Sequence, residues 1–480
     1  MTDVPATSSA APVLAAAALL YAGSLAFFWP GIPLYDSVAQ YSQAISNTYD
    51  DWHPPAMARL WAVLHAIFGG GTGPMLAVQM LAYWTGFGLF AGALVTTGRR
   101  WAGWALLVVA AWPPFLGWQA VVLKDAQLTG AMLAAAGLAG WWRLRHRQIP
   151  VAVWGGVVAL LGYAVLVRAN AVFAVVPMVV MLPRDWRPLV RLGVALAGIV
   201  AVLTLAGPIN HGLLRANRSG VERTEAIYDL AGIAVRLPEA IAPSVDAMFD
   251  RAALATLIAR HCVKPFFWDP LGEPARCDSV VEPLRHVPPG TLYMTLLRAI
   301  LAHPFVYAAH RLAHLNSTDR WLVPAALPSA APPFIGESND LGLTGPGPLT
   351  VGFQRLAGRL VDTPPAWPVG WIVVAATAWL VALRRLRDPA RDLALALATS
   401  ALALEGSFVV LSIASDLRYH LWPMIAAAVA VLLLMDGKRV GEQHRWLTGG
   451  GVLTIVIAAA AVARLSLPAP PPSYVGMLVW

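Results

Sequence analysis

The chain has 480 residues, of which 58% are hydrophobic and 12% are charged, and its mean hydropathy is +0.62. This apolar fraction is too high for a soluble domain, and the apolar residues fall in long blocks, which predicts a polytopic membrane protein. The net charge of +8 does not point to nucleic acid, because the arginines lie in short clusters between apolar blocks, as in cytoplasmic membrane loops. We therefore expect a lipid bilayer, and no nucleic acid, among its partners.

Eleven apolar stretches are candidates for membrane-spanning helices, which need about 20 residues to cross a hydrocarbon core of roughly 30 Å. They are 13–29, 74–97, 101–117, 124–142, 151–167, 170–182, 189–206, 367–383, 393–414, 419–435 and 447–463. The first twelve residues lack basic side chains, so the first stretch is predicted to be a retained span and not a signal peptide.

Basic clusters between these stretches predict the orientation, because short cytoplasmic loops are enriched in arginine and lysine. The clusters are Arg99 and Arg100, Arg143 to Arg147, Arg184 to Arg191, Arg384 to Arg391, and Lys438 to Arg445. Counting spans between them places the N-terminus inside and the C-terminus outside. The outward connections are then 30–73, the turn near Lys124, the turn at Arg168, 207–366 and 415–418.

The first outward loop, 30–73, is also the first polar segment of the chain. It concentrates titratable side chains within eighteen positions: Asp36, Asp50, Asp51 and His53. At the mouth of a membrane cavity such groups are candidates for a general base or for metal ligands. The segment 54–68 opens with two prolines and, as a helix about 20 Å long, is too short to span. We expect it to lie flat in the outer interface.

Residues 151–182 look like one long helix but carry Arg168 and Asn170 near the middle. Both flanks are rich in arginine, so the chain must return to the side from which it started. This predicts a hairpin of two short helices that turns at Arg168. Short, broken helices of this kind usually line a cavity and do not face lipid.

The outward loop 207–366 is about a third of the chain and too long for a connector, which predicts a small subdomain over the membrane face. It separates an N-terminal membrane module, 1–206, from C-terminal membrane helices, 367–480. Both cysteines, Cys262 and Cys277, lie in it, and a disulfide between them is predicted on the oxidising side of the membrane.

Two further features of this loop are an amphipathic stretch, 291–315, and a Pro/Gly-rich run from Pro324 to Pro348 that predicts a flexible segment. His310 and His314 have the i, i+4 spacing of a helical metal pair. Since no acidic residue completes a metal motif, interfacial histidines are the simpler interpretation.

Four outward-facing segments bring polar side chains to one predicted level of the membrane. They are Asp36, Asp51 and His53; Lys124 and Asp125; Arg168 and Asn170; and Asp416, Arg418, Tyr419 and His420. Burying an unpaired lysine or arginine near hydrocarbon costs at least ~2.5 kcal/mol. Structural ion pairs, Lys124 with Asp36 and Arg418 with Asp125, would offset this cost. The alternative is a pocket where cations hold a phosphate and a carboxylate acts as base.

Several of these motifs occur together in one known family. They are the first span followed by Asp36, the DWHPP motif from Asp51 to Pro55, the KD pair Lys124 and Asp125, and the RYHLWP run from Arg418 to Pro423. In these motifs the chain resembles the GT-C superfamily of integral-membrane glycosyltransferases, which includes protein O-mannosyltransferases and aminoarabinose transferases. The resemblance covers the N-terminal half and the late motif, and leaves 207–366 unmatched. No paired-acid motif stands beside Asp36, so the choice of base between Asp36 and Asp51 stays open.

The resemblance implies an all-α GT-C fold of about 11 transmembrane helices, with interfacial helices in the first outer loop and a large outer loop. It implies transfer of a sugar from a polyprenyl-phosphate donor to a glycan, lipid or protein hydroxyl, by a single inverting displacement. The catalytic set would be Asp36, Asp51 and His53. The donor phosphate would be held by Lys124, Arg168, Arg418 and His420, with support from Asp125, Asn170 and Tyr419. A divalent Mg²⁺ or Mn²⁺ ion, if used, would take Asp36, Asp125 and His53 as ligands.

Two other functions share some of these features. A transporter or flippase of a lipid-linked or anionic substrate would also use broken helices and buried charges, but we find no repeated halves. A polysaccharide polymerase or ligase would also carry a large outer loop. The alanine-rich, arginine-over-lysine composition is typical of a bacterial protein, which predicts the inner membrane with a periplasmic site. The sequence leaves the sugar and the acceptor open.

Overall fold

The computed structural model describes residues 9–183, 186–237, 248–435 and 442–480. The predicted basic clusters that start at Arg184 and Lys438 therefore lie partly outside the described residues. Two two-residue strands, β1 (Tyr49–Asp50) and β2 (Ala216–Asn217), pair in parallel. The rest of the regular structure is helical.

The N-terminal part contains ten α-helices. They are α1 (Ala11–Phe28), α2 (Tyr35–Ser46), α3 (Ala56–Phe68), α4 (Gly73–Thr96), α5 (Arg100–Ala110), α6 (Pro113–Gln119), α7 (Lys124–Arg143), α8 (Val151–Val167), α9 (Val172–Val180) and α10 (Pro188–Gly207). The middle part, as far as it is described, contains α11 (Thr224–Ala234), α12 (Arg251–Ala259), α13 (Asp269–Gly272), α14 (Asp278–Arg285), α15 (Pro289–Ala302), α16 (Pro304–Thr318) and α17 (Pro348–Leu360). The last part contains α18 (Pro368–Arg384), α19 (Pro389–Leu411), α20 (Leu421–Leu434), α21 (Glu442–Ser466) and α22 (Tyr474–Val479).

The protein is a multi-pass membrane protein by the length and composition of its helices. Six helices of the described chain are long and apolar enough to cross a membrane, or eight if each of two bent pairs counts as one span. Each of the eleven predicted stretches coincides with a helix or a bent pair of helices. The count of eleven spans stays a prediction, because α8, α9 and α18 have 17 residues or fewer.

The N-terminal bundle is built around α4 and α7, whose backbones approach closely at Gly86 and Gly137. A Cβ atom on Gly137 would lie 2.6 Å from the Gly86 carbonyl oxygen, so only glycine fits there. Helix α7 is rich in glycine and alanine and almost wholly buried, which makes it the inner helix of the bundle. Its polar residues are used inside the bundle: Gln127 donates to Gln79, which itself donates to the Gln119 and Val121 carbonyls.

The short helix α20 runs between the two ends of the bundle. At its C-terminal end, Arg99 donates to the Leu433 carbonyl and Arg385 to the Leu434 carbonyl, at 3.1 and 2.7 Å. Two of the predicted cytoplasmic clusters therefore meet at this end. At the other end, the 3₁₀ turn Leu417–His420 carries the late RYH motif. We call this second end of the bundle the site end.

The described part of 207–366 forms a subdomain with a hydrophobic core of its own, separate from the bundle core. Helices α11, α12, α14 and α15 contribute to it, and a disulfide joins Cys262 to Cys277, with Cα atoms 6.1 Å apart. The predicted amphipathic stretch, 291–315, forms two helices, α15 and α16. The chain bends by 107° between them, at His303 and Pro304.

The Pro/Gly-rich run after this subdomain has defined contacts across the site end, although its composition predicts flexibility. The Trp118 indole donates to the Ala330 carbonyl, Leu417 N–H to the Ser329 carbonyl, and Glu337 N–H to the Pro33 carbonyl. These bonds join it to three segments of the bundle. The run therefore covers part of the site end.

Candidate active site

Asp36 lies next to the Lys124 turn because the backbone before it pairs with the backbone before α7. Ile32 N–H donates to the Ala120 carbonyl, and the Ile32 carbonyl accepts from Val122 N–H, each at 3.0 Å. One turn later, the Ser37 hydroxyl donates to the Val122 carbonyl at 2.5 Å. This short ladder fixes the start of α2 against the start of α7. The acidic and basic side chains at these two helix starts consequently face each other.

Three side chains from separate segments surround the Asp36 carboxylate. Arg418 Nη1 lies 3.2 Å and Lys124 Nζ 3.6 Å from Oδ2, while His53 Nε2 lies 3.8 Å from Oδ1. The other ring nitrogen of His53, Nδ1, is 2.7 Å from Lys124 Nζ. Because a charged ammonium only donates, this contact assigns the remaining ring proton of a neutral His53 to Nε2, toward Asp36.

A second carboxylate, Asp125, extends the group toward Arg168 and Arg418. Arg168 forms an ion pair with Asp125 Oδ1, and Arg418 Nε lies 3.6 Å from Oδ2. Asp416 accepts from Arg418 at 3.0 Å, and Asn170 Oδ1 accepts from Arg168 Nε at 2.8 Å. The ring of Tyr419 lies between the two arginines, with its centre 4.0 Å from the Arg168 guanidinium carbon.

We call the resulting set the Asp36 cluster. It consists of Asp36, His53, Lys124, Asp125, Arg168 and Arg418, with Asn170, Asp416 and Tyr419 around it. Three cations face three carboxylates, so their charges balance. The side chains of Asp36, Lys124, Arg168 and Arg418 are 12–15% exposed, whereas that of Asp125 is 2% exposed. The cluster is therefore largely dry but open at Asp36 and its cations.

The surroundings of Asp36 and His53 fix their charge states. Burial alone would raise the pKa of Asp36, but the positive charges of Arg418 and Lys124 outweigh it and hold that pKa well below its ordinary value. Burial, and then the charge of Lys124, lower the pKa of His53 to about 3. At neutral pH, Asp36 is ionised and His53 is neutral.

The expected metal ligands Asp36, Asp125 and His53 come together, but their setting does not fit a divalent ion. Asp36 Oδ2 already faces Lys124 and Arg418, and both Asp125 oxygens face arginines. A metal ion added there would lie beside three fixed positive charges. The Lys124 contact also occupies one ring nitrogen of His53. The donor types are right for Mg²⁺ or Mn²⁺, yet the charges around them are wrong.

Asp51, which the sequence analysis grouped with Asp36 and His53, lies apart from the Asp36 cluster. Its Oδ1 accepts from Ser219 N–H at 2.6 Å and from the Ser219 hydroxyl at 2.7 Å, and its Oδ2 lies 3.4 Å from His211 Nε2. Within the described residues it pairs with no member of the Asp36 cluster. Together with the β1–β2 pair, Asp51 attaches the first outer loop to the start of 207–366.

His420 also lies apart from the cations, although it is two residues from Arg418. It is fully buried, and its Nδ1 lies 2.9 Å from both carboxylate oxygens of Glu405 on α19. Asp319, directly after α16, completes this second group. The structure therefore does not bring His420 together with Lys124, Arg168 and Arg418, the other residues predicted to bind the phosphate. The sequence analysis missed Glu405, although it is the one acidic residue within the predicted span 393–414.

A third charged group, inside the subdomain, was also missed. Arg311 donates to Asp229 at 2.7 and 3.0 Å, to Glu225 at 2.7 Å and to the Ser412 carbonyl at 2.7 Å. His310 Nε2 lies 3.2 Å from Asp229 Oδ1. We call Glu225, Asp229, His310 and Arg311 the Arg311 network. His310 and His314 are therefore buried structural residues and not interfacial ones.

No family model and no curated protein matches the sequence. Among solved structures, the chain is similar to the archaeal oligosaccharyltransferase AglB from Archaeoglobus fulgidus, solved with an inhibitory peptide and a dolichol-phosphate. The identity is 14% and the TM-score 0.37, over 95% of this chain and 55% of that one. The chain thus spans about half the length of AglB.

A second similar structure is ArnT from Cupriavidus metallidurans, bound to undecaprenyl phosphate. The identity is 16% and the TM-score 0.28, over 88% of this chain and 76% of that one. Likenesses this slight assign neither a fold nor an activity to the chain. The Asp36 cluster must supply the argument for function by itself.

Proposed function

We propose that this protein is a GT-C-type membrane glycosyltransferase that moves a sugar from a polyprenyl-phosphate donor to an acceptor hydroxyl. The observation that carries this proposal is the Asp36 cluster. Lys124 and Arg418 face the partly open Asp36 carboxylate, and a third cation, Arg168, is paired with the neighbouring Asp125. A carboxylate beside a row of cations is the arrangement that proton removal next to a departing phosphate requires.

The cations can hold a phosphate without leaving their present partners. A guanidinium has five N–H donors, and Arg168 uses two of its nitrogens on Asn170 and Asp125. Arg418 binds Asp36 and Asp416 and also keeps N–H groups for another acceptor. Forked, charge-assisted bonds from arginine suit phosphate oxygens. Lys124 adds a point charge on the same side of Asp36.

In the proposed reaction, the acceptor oxygen forms a bond to the anomeric carbon while the bond from that carbon to the phosphate oxygen breaks. The hydroxyl proton passes to Asp36, and polyprenyl phosphate leaves. The donor is a phosphate diester and the leaving group a monoester, so negative charge develops on the phosphate. Lys124, Arg168 and Arg418 stabilise that charge where it forms. Displacement from the opposite face inverts the anomeric configuration.

Donor binding also adjusts the basicity of Asp36. In the structure as described, Arg418 and Lys124 hold its pKa well below its ordinary value, which makes it a weak base. A phosphate bound to the same cations offsets their charge, so the pKa of Asp36 rises. Asp36 therefore becomes an effective base once the donor is in place. His53, with Nε2–H toward Asp36, orients the carboxylate.

The proposal extends to the side of the membrane on which the site lies. The site end is opposite the end where Arg99 and Arg385 meet. If those arginines mark the cytoplasmic side, the Asp36 cluster faces outward, toward the periplasm in a bacterial inner membrane. Accessibility of a cysteine introduced at exposed Tyr35 to a membrane-impermeant reagent in intact cells tests this side directly.

The function is tested by turnover of radiolabelled polyprenyl-phosphate sugars with candidate acceptors, using purified, reconstituted protein. Wild type should release polyprenyl phosphate. Asp36→Asn should bind the donor and lose turnover by about 10²- to 10⁴-fold, since only the base is removed. Asp50→Asn is the matched control, because Asp50 lies on the same loop and its carboxylate caps only the Trp52 N–H.

Two results would contradict the proposal. Full activity of Asp36→Asn would remove Asp36 as the base. Movement of intact donor across the bilayer by wild type, with no polyprenyl phosphate released from any donor of a sugar panel, would replace the transferase with a carrier.

A further inference from the structure

The group around His420 is separate from the Asp36 cluster and is built from three distant segments. Asp319 follows α16, Glu405 lies on α19, and His420 ends the turn before α20. One ligand atom from each lies within 4.8 Å of the other two. Among the described residues, it is the one group of three histidine, cysteine or acidic side chains with this geometry.

The three side chains are buried, and their polar atoms are incompletely satisfied. Asp319 is 9% exposed, Glu405 5% and His420 0%. Asp319 Oδ1 is shielded from solvent and has no hydrogen-bond partner. A buried polar atom without a partner is rare in folded proteins and requires an explanation. An ion that contacts this oxygen would supply one.

The surrounding charges point to a cation. The nearest arginine, Arg320, directs its guanidinium to the carbonyls of Leu327, Pro328 and Ser415, at 2.5 to 2.9 Å. Neither Asp319 nor Glu405 forms an ion pair with it. Two carboxylates so close together in a buried place repel each other unless a positive charge or protons lie between them.

We propose that Asp319, Glu405 and His420 bind one divalent first-row metal ion. Two carboxylate groups and one imidazole, with no thiolate, form a donor set that suits Zn²⁺ and Mn²⁺. The ion neutralises the two acids and provides a partner for the unsatisfied Asp319 oxygen. The third ligand atom is His420 Nδ1, the ring nitrogen that lies 2.9 Å from Glu405. The role of the ion is structural, since all three ligand side chains are buried.

The bound ion links three segments that carry the site. It joins the end of the subdomain at Asp319 and the middle of α19 to the turn that presents Arg418, two residues before His420. The three ligands are thus positioning residues for Arg418, and none of them contacts the proposed donor phosphate.

The test is the metal content of the full-length, detergent-purified protein after dialysis against Zn²⁺ or Mn²⁺ and then against metal-free buffer. Inductively coupled plasma mass spectrometry should find about one equivalent per chain in wild type. Asp319→Asn and Glu405→Gln should each bind the ion at least about tenfold more weakly. Asp319→His, which keeps a ligand atom, should retain it. Asp36→Asn and Asp362→Asn are the controls and should bind as wild type does.

A second measurement does not depend on the variants folding. In the Mn²⁺-loaded wild type, electron spin echo modulation should show one directly bound histidine nitrogen. Wild type that takes up neither ion would overturn the proposal, as would a Mn²⁺ signal without a nitrogen. If Asp36→Asn lost the ion and Asp319→Asn kept it, the metal site would lie in the Asp36 cluster and the proposal would be wrong. The proposed transferase reaction does not require the ion at the reacting atoms, so metal content and donor turnover fail independently.

Discussion

Two charged groups in this protein contain the same kinds of side chains in different arrangements. In the Arg311 network, every contact with the arginine is a hydrogen bond of 2.7 to 3.0 Å, and Asp229, His310 and Arg311 are at most 3% exposed. In the Asp36 cluster, the contacts of Asp36 are 3.2 to 3.8 Å long, and Oδ2 has no hydrogen-bond partner. In the Arg311 network every guanidinium nitrogen of the arginine is hydrogen-bonded, whereas in the Asp36 cluster a carboxylate oxygen is still without a hydrogen bond.

If the Asp36 cluster catalyses the proposed reaction, the difference shows how ion pairs that stabilise the fold differ from charges that take part in a reaction. Arg311 connects α11 and α16 to the Ser412 carbonyl at the end of α19, so it holds the subdomain on the bundle. The cations around Asp36 hold the site together more loosely and leave donors for an incoming group. The length of the contacts at the central carboxylate, Asp229 in one group and Asp36 in the other, separates the two groups better than residue type does.

The largest expected effect is on stability, from Arg311→Met. It leaves Asp229 buried with its main partner removed, which costs roughly 3–5 kcal/mol of stability. Thermal unfolding of the solubilised protein measures this loss, and turnover per folded molecule should not change. A variant as stable as wild type would show that the network does not hold the subdomain in place.

Arg418→Met should act in the opposite way. Turnover should fall by about 10²- to 10³-fold, because one fixed positive charge facing the departing phosphate is lost. Stability should fall less than in Arg311→Met, since Lys124 still faces Asp36 and Arg168 still faces Asp125. Steady-state kinetics beside the unfolding curve measures both. A loss of stability that matches Arg311→Met would make the two groups equivalent.

The Arg311 network should contribute to the pH dependence of stability. Burial, and then the charge of Asp229, raise the pKa of Glu225 to about 7. An acid whose folded pKa is raised binds its proton more tightly in the folded state, so stability falls as pH rises from about 4.5 to 7. The decrease should be on the order of 2 kcal/mol. Unfolding curves at pH 5 and pH 8 measure this decrease. In Glu225→Gln the difference in unfolding free energy between the two pH values should be smaller.

The smallest effect is expected for Asp51→Asn. The change weakens the two bonds to Ser219 and the contact with His211, which costs about 1 kcal/mol of stability. Turnover should stay within about twofold of wild type, because Asp51 does not contact the Asp36 cluster. Turnover of Asp51→Asn, measured in the same assay as turnover of Asp36→Asn, tests this. A loss as large as that of Asp36→Asn would return Asp51 to the set of candidate bases.

The sequence predicted the helices and the convergence at Asp36 because both depend on strong local signals. Long apolar stretches and basic clusters give the helix positions, and charges at the ends of those stretches are costly enough to require partners. Lys124, Arg168 and Arg418 were found in this way. Their roles in catalysis stay predictions.

The misassignments have a common physical cause, which is side-chain direction within a short segment. Asp51 and His53 are two residues apart, yet one faces Ser219 and the other Lys124. Arg418 and His420 diverge in the same manner within one 3₁₀ turn. The pairing of Glu225 and Asp229 with Arg311 joins positions more than 80 residues apart, for which the sequence contains no local signal.

The length of α20 sets the depth in the membrane at which the proposed reaction would take place. Its 14 residues rise about 21 Å, with Arg99 and Arg385 at one end and the Arg418 turn at the other. If the arginines lie at one boundary of a hydrocarbon core of roughly 30 Å, the Asp36 cluster is submerged roughly 9 Å below the opposite boundary. In the proposed reaction, the phosphate of a lipid-linked donor would have to reach cations at this depth. The acceptor hydroxyl would have to reach the same depth, past the Pro/Gly-rich run, and the surrounding hydrocarbon would limit the access of water to the sugar.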